Sequence, residues 1–261
     1  MKTALSQIIY DRAERSYKDL WTDFQSTDVR PDGRVWDMYS GITNFTFVTD
    51  QDTGSGGNQE GQYYNREHSF PKSWFGGNVM PMYTDLHHMY PVDKMVNNRH
   101  SNKPLGETRG ESFKSANGFS KLGQCTYPGY KGIVFEPNDE YKGDFARTYF
   151  YIVTCYEEKL PDWYANNNEV RATIDGSKYP GLSPWQLEML MKWSEADPVS
   201  QKEIDRNNAV YKIQANRNPF IDYPGLERFI WGDKMNKVFR YAIDGAGMIN
   251  SHRNRKSRPD D

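Results

Sequence analysis

A chain with a mean hydropathy of −0.90 can close a core only if a few large side chains do most of the burying. That requirement constrains this sequence more than any other feature. Its 18 tyrosines, 13 phenylalanines and 7 tryptophans meet it, because each buried aromatic removes roughly 150–250 Å² from water. At 261 residues such a core needs neither disulfide staples nor a structural metal. No repeat and no Pro/Ser-rich linker divides the chain. It therefore reads as one domain over residues 1–250, followed by a flexible polar tail, 251–261, containing Ser251-His252-Arg253-Asn254-Arg255-Lys256.

Periodicity and punctuation predict an α+β fold with a helix-rich C-terminal half. Leu5, Ile8, Ile9, Ala13, Tyr17, Leu20 and Trp21 recur at helical spacing and predict an amphipathic helix over 3–24. Alternation over 35–48 predicts two short strands about Ser40-Gly41, and the Gly- and Asp-rich stretch 50–61 predicts a mobile loop. A strand entering a turn at Pro71 is expected over 63–75, and a helix over 93–101. Phe145, Tyr149, Ile152 and Tyr156 form one stripe of a helix over 144–158. Ser183-Pro184-Trp185-Gln186 and Ser200-Gln201-Lys202-Glu203 both fit the capping box, and 226–231 predicts a short helix closed by Gly232. The run Asn216-Arg217-Asn218-Pro219-Phe220 reads as a helix stop.

The formal charge of −2 gives no long-range pull on polyanions, so any nucleic-acid contact must be local. Arg66, Lys72, Lys94, Arg99, Lys103 and Arg109 could supply it, against Glu67, Asp85, Asp93 and Glu107. Cys125 and Cys155 are too few for a disulfide framework and lack thiolate-site spacing. They form either one bridge or two free thiols, and free thiols are favoured because Cys155 follows the apolar run Tyr149-Phe150-Tyr151-Ile152-Val153. No segment approaches the roughly 18 apolar residues of a membrane span, and none of the N-terminal residues forms a secretion core. A leader removed before residue 1 would leave the same appearance.

Four of the five histidines, His68, His87, His88 and His100, cluster with Glu67, Asp85, Asp93, Asn97 and Asn102. An imidazole with an ordinary pKa of about 6.5 suits a general base near neutrality. A carboxylate beside an amide oxygen suits a hard cation such as Mg²⁺. Three classes of function are open on these residues. One is a nuclease. Another is a zinc hydrolase built from the four imidazoles, although no His-Glu-x-x-His pattern occurs. The third is a non-catalytic module that binds glycans or nucleic acid through its many Trp and Tyr residues.

Several ordered segments decide between them. They are 64–75 with Arg66-Glu67-His68, 85–91 with Asp85-Leu86-His87-His88, Val96-Asn97 with 101–107, Phe135-Glu136-Pro137 through Arg147, and 214–222. Together they resemble the bacterial endonuclease I family of ββα-metal (His-Me finger) nucleases. The resemblance implies a core of short strands and a helix at about 63–104, with His68 as general base and Glu67 and Asn97 holding one Mg²⁺ (Ca²⁺ or Mn²⁺ also being admissible). It further implies contacts to substrate from Arg66, Arg99, Asn102 and Lys103, with His87 and His88 supporting the site from behind. The substrate would be DNA and possibly RNA, gripped by its backbone without sequence preference and cut to 5′-phosphate and 3′-hydroxyl ends by a secreted or periplasmic enzyme. Neighbours on a strand point to opposite sides, so Glu67 and His68 can reach one phosphate only if the strand ends or bends there, which Pro71 favours. One departure concerns the helix: relatives commonly carry Arg beside Ser101, where this chain has His100, with Arg99 one residue and about 100° of rotation away. Likewise His88 stands where relatives often have Asn.

Overall fold

The structure, a computed structural model, describes residues 1–240, and the expected tail at 251–261 lies outside them. Two short helices, α1 (Lys2–Ile9) and α2 (Leu20–Thr27), replace the single helix expected over 3–24. The break has a physical cause in residue 12. The Arg12 guanidinium turns inward to Asp85 and donates to Tyr156 Oη at 2.5 Å and Tyr151 Oη at 3.2 Å. The next residue, Ala13, donates its amide to Gln214 O at 2.9 Å. These tertiary bonds outcompete helix propensity, which is a weak force per residue.

The expected strand pair over 35–48 is also absent. This stretch is a series of turns bridged once, between Val29 and Val35. The Asp37 carboxylate accepts from Tyr39 N at 2.8 Å, Thr43 Oγ1 at 2.9 Å and Asp93 N at 3.1 Å. Local side-chain bonds of this kind give backbone an alternative to a ladder. The alternating aromatics that suggested strands, Tyr39 and Phe45, are core anchors. Residues 50–61 are irregular and pinned: Gln51 bridges Tyr64, and Lys94 pairs with Asp52 at 2.7 Å.

The strand β1 (Tyr64–His68) pairs antiparallel with β2 (Met89–Asp93), with Tyr64 opposite Asp93 and His68 opposite Met89. Chain periodicity had suggested only one strand here. Pro91 faces Arg66 in this pair, and a two-stranded sheet leaves its missing N–H harmless at an edge. The helix α3 (Lys94–His100) follows at once, started by Asp93, whose side chain accepts from Val96 N at 2.9 Å. A meander of β3 (Phe113–Lys114), β4 (Lys121–Gln124) and β5 (Ile133–Glu136) comes next.

The centre of the molecule is α4 (Lys142–Cys155). Thirteen of its 14 residues are buried, so it is packed on every side and not on a single stripe as the spacing suggested. It lies against α1, α6 (Pro184–Ala196) and α8 (Pro219–Asp222), with α5 (Leu160–Asn166), α7 (Gln201–Gln214) and α9 (Glu227–Ile230) completing the helical half. Within α4 the buried Arg147 guanidinium donates to both Glu203 oxygens, at 2.6 and 2.8 Å.

Of the two expected capping boxes, only one forms. Ser200 and Glu203 cap α7 reciprocally, whereas Ser183 Oγ donates to Ala172 O at 2.7 Å and Gln186 Nε2 to Leu105 O at 3.3 Å. Ser200→Ala should therefore lower stability by about 1 kcal/mol. In a domain of this size that is a fall in melting temperature of roughly 2–4 °C, to be read by thermal unfolding. Ser183→Ala removes no cap, so a comparable loss there would contradict this assignment.

Candidate functional site

The last two residues of β1 converge on one open cavity of about 430 Å³, lined by Arg66, Glu67, His68, Asn97 and Asn102, with Tyr17 at its mouth. The strand ends at His68, and Ser69 N already turns to His88 O at 3.0 Å. This is how two neighbouring side chains reach the same space.

His68 is nearly buried, and its Nε2 lies 3.0 Å from Tyr83 O. A carbonyl only accepts, so Nε2 carries the hydrogen and Nδ1 holds the free lone pair. Nδ1 takes no bond from the protein and is not among the fully buried unpaired atoms, so it opens on the cavity. Burial first, then the neighbouring His88, Lys72 and Arg66, hold its pKa well below the ordinary imidazole range. At neutral pH the ring is therefore an uncharged base. Tyr83 stacks on it at 5.2 Å and an interplanar angle of 15°.

Behind His68, His88 donates from Nε2 to Met82 O at 2.6 Å, and its ring lies 5.6 Å from that of His68. His87 turns the other way. Its ring packs 4.5 Å from Tyr151 and its Nε2 donates to Asn216 O at 3.3 Å, so it belongs to the core and not to the support of the site. The turn over 86–88 aims the two rings at different partners.

Both arise from a loop held by Asp85. Asp85 Oδ2 accepts from Arg12, from Tyr151 Oη at 2.9 Å and from Tyr156 Oη at 2.8 Å, while Oδ1 accepts from His87 N at 3.0 Å and Gln214 Nε2 at 2.8 Å. Burial alone would raise the carboxyl's pKa. The Arg12 guanidinium, His87, His88 and the Gln214 amide outweigh it and hold Asp85 ionised far below the usual range.

Across the cavity Glu67 is buried apart from one oxygen. Oε1 accepts from Tyr39 Oη at 2.9 Å and bonds His100 Nδ1 at 2.6 Å, whereas Oε2 has no protein partner. Asn97 on α3 donates its Nδ2 to Asn65 Oδ1 at 2.7 Å, which directs its own Oδ1 away from that bond. A carboxylate oxygen and an amide oxygen facing an open cavity of this size fit a hard divalent cation that keeps several waters. They do not suit zinc. Among the described residues no three His, Cys, Asp or Glu side chains converge to hold a metal, and the four clustered imidazoles point to different partners. Cys125 and Cys155 are free thiols.

The Arg66 guanidinium is sandwiched 3.6 Å from the centre of the Tyr17 ring and 4.2 Å from that of Trp21, and Nη1 donates to Tyr17 O at 2.6 Å. It lines the cavity, as does Asn102. Arg99 and Lys103 do not. The inward position of that helical turn is taken by His100, so Arg99 swings out over the Phe113 ring at 5.6 Å, and Lys103 offers its carbonyl to His100 Nε2 at 3.0 Å. Sequence reasoning gave no place at the site to Tyr17, Tyr39, Tyr83 or Arg12, and gave His100 one only as a zinc ligand. The signal for His100 was its place in the histidine cluster. The others act from distant segments with no local pattern to mark them.

A family model described as Endonuclease I matches residues 1–225. An extracellular ribonuclease of Bacillus amyloliquefaciens is 35% identical over 239 residues, covering 88% of this chain and 73% of that protein. An extracellular ribonuclease of Bacillus subtilis (strain 168) is 33% identical over 237 residues, covering 88% and 74%. An endonuclease-1 of Buchnera aphidicola is 28% identical over 145 residues, covering 55% and 48%.

Proposed function

Since the chain belongs to the endonuclease I family and is an endonuclease, we propose that it hydrolyses the backbone of both DNA and RNA, with His68 as general base and one divalent cation held by Glu67 and Asn97. The observation that carries this reading is the shared cavity into which His68 Nδ1 and Glu67 Oε2 both open. The order β1, β2, α3, with the base on a strand and the amide on the helix, supports the ββα-metal reading of the fold. The family match over residues 1–225 supports reading the chain as one nuclease domain.

In this reading His68 Nδ1 takes a proton from a water aligned with the phosphorus. The new P–O bond forms as the bond to the 3′ oxygen breaks, and that oxygen takes its proton from solvent water, leaving 5′-phosphate and 3′-hydroxyl ends. The cation, Mg²⁺ by its oxygen ligands, supplies charge stabilisation for the phosphate and the leaving oxygen when bound. Arg66, already desolvated between two rings, meets a phosphate oxygen, assisted by Asn102. Arg99 and Lys103 serve flanking phosphates outside the cavity. Contacts of this kind grip the backbone and leave the bases unread.

Water as nucleophile makes the sugar's 2′-hydroxyl dispensable, which is why one site serves both nucleic acids. Supercoiled plasmid and a defined RNA should both be cut with Mg²⁺ and spared with EDTA, and all ends should carry 5′-phosphate. RNA cleavage that persists in EDTA and leaves cyclic phosphates would overturn the proposal. The names of the two Bacillus relatives support secretion of this chain as well. No helix among the described residues is long and apolar enough to cross a membrane.

A further inference from the structure

We propose that Tyr39 and His100 are positioning residues that set the distance and orientation between Glu67 and Asn97, and thereby the affinity of the site for its cation; this rests on the metal reading above. Tyr39 and His100 are both completely buried and do not line the cavity. Their polar atoms meet at Glu67 Oε1, Tyr39 Oη at 2.9 Å and His100 Nδ1 at 2.6 Å, and lie 3.2 Å from each other. Left alone, a glutamate carboxylate turns easily about its last torsion, whose preference is broad and two-fold. Two partners on one oxygen stop that rotation and leave Oε2 as the face presented to the cavity.

The imidazole cannot follow if Glu67 moves. Its Nε2 lies 3.0 Å from Lys103 O, and the Phe135 ring lies 4.6 Å from it and 4.7 Å from Tyr39. His100 also shares a helix with the second oxygen donor. Asn97 precedes it by three residues on α3, nearly one turn, so both side chains leave the same side of the helix. The bond from His100 to Glu67 therefore ties β1 to the turn of α3 that carries Asn97. The two cation donors are held at a fixed relation without the cation's help. A structural role alone would satisfy Glu67 equally well but would leave cation affinity indifferent to the loss of either partner.

The test uses the full chain and Mn²⁺ alone as probe, titrated without nucleic acid by isothermal calorimetry or by the electron paramagnetic resonance of free Mn²⁺. Partners behind metal ligands commonly change affinity by 10–100-fold when removed. Tyr39→Phe, which deletes one hydroxyl at constant shape, should weaken Mn²⁺ binding by about 10-fold, and His100→Ala by about 10–100-fold. His100→Gln, whose amide can still donate to Glu67, should recover most of the affinity. The metal dependence of cleavage should move to higher concentration by the same factors, with turnover at saturating metal largely restored. Folded variants that bind Mn²⁺ as tightly as the parent overturn the inference, whatever their activity. A parent chain that binds no Mn²⁺ overturns this inference together with the metal reading, whereas a binding parent with unshifted variants overturns this inference alone. Tyr39→Phe keeps the test decisive should His100→Ala fail to fold.

Discussion

His68→Ala should lower turnover on DNA and RNA by about 10²–10⁴-fold, the usual contribution of a positioned general base, while affinity for the nucleic acid is retained. The reasoning starts from the tautomer. Tyr83 O holds the hydrogen on Nε2, so Nδ1 is the one basic nitrogen this ring presents to the cavity. Burial keeps the ring uncharged at neutral pH, so no proton must leave before it can act. In the proposed reading affinity resides in other groups, with Arg66 held between its two rings and Asn102 just past the end of α3. A fluorogenic oligonucleotide measures turnover, and fluorescence anisotropy of a labelled strand measures binding. Added imidazole should restore part of the activity of the Ala variant by filling the vacated space. Full activity without His68 would remove the base from the mechanism, and an equal loss of binding would assign the residue to grip.

Asp85→Ala should cost about 3–5 kcal/mol of stability, the penalty for stranding a buried cation. Among the described residues its carboxylate is the one anionic partner of the Arg12 guanidinium, and it is bonded by two tyrosine hydroxyls, a backbone amide and a side-chain amide. A loss of that size moves the melting temperature by on the order of 10 °C. The pH dependence has a definite sign. A carboxyl whose folded pKa is depressed stabilises above its unfolded pKa, near 3.9, and loses that contribution as pH falls through the folded value. Asp85 is depressed far below that range. The gap between the parent and Asp85→Ala should thus be flat from pH 7 to about pH 4 and narrow only in stronger acid. Urea titrations at several pH values would show it. A gap under about 1 kcal/mol would mean that Arg12 finds water and that the site loop stands without Asp85.

How much of this was legible beforehand depends on the range of the forces involved. The turn at Pro71, the end of β1 and the start of α3 at Asp93 are short-range events marked by residue types within a few positions. The ordered motifs brought Glu67, His68 and Asn97 to one cavity without any knowledge of what lay between them. The strand Met89–Asp93 escaped the periodicity because all five of its residues are buried, leaving no polar alternation to read. The break after Ile9 was hidden for a different reason: Arg12 is drawn inward by an aspartate 73 residues away. Arg99 looked like a group inside the cavity until His100 occupied the inward position of the same turn. Where one residue's place is decided by a partner far along the chain, local pattern is silent.

The brace on Asp85 reaches from Arg12 near the start of the chain to Gln214 close to the end of the matched region. During synthesis the segment that carries Glu67, His68 and Asn97 emerges more than a hundred residues before Gln214 does. Until then Asp85 lacks one of its amide donors, and the loop that fixes His68 through Tyr83 and backs it with His88 is unfinished. The loop behind His68 is thus complete only once residues from both ends of the matched region are in place.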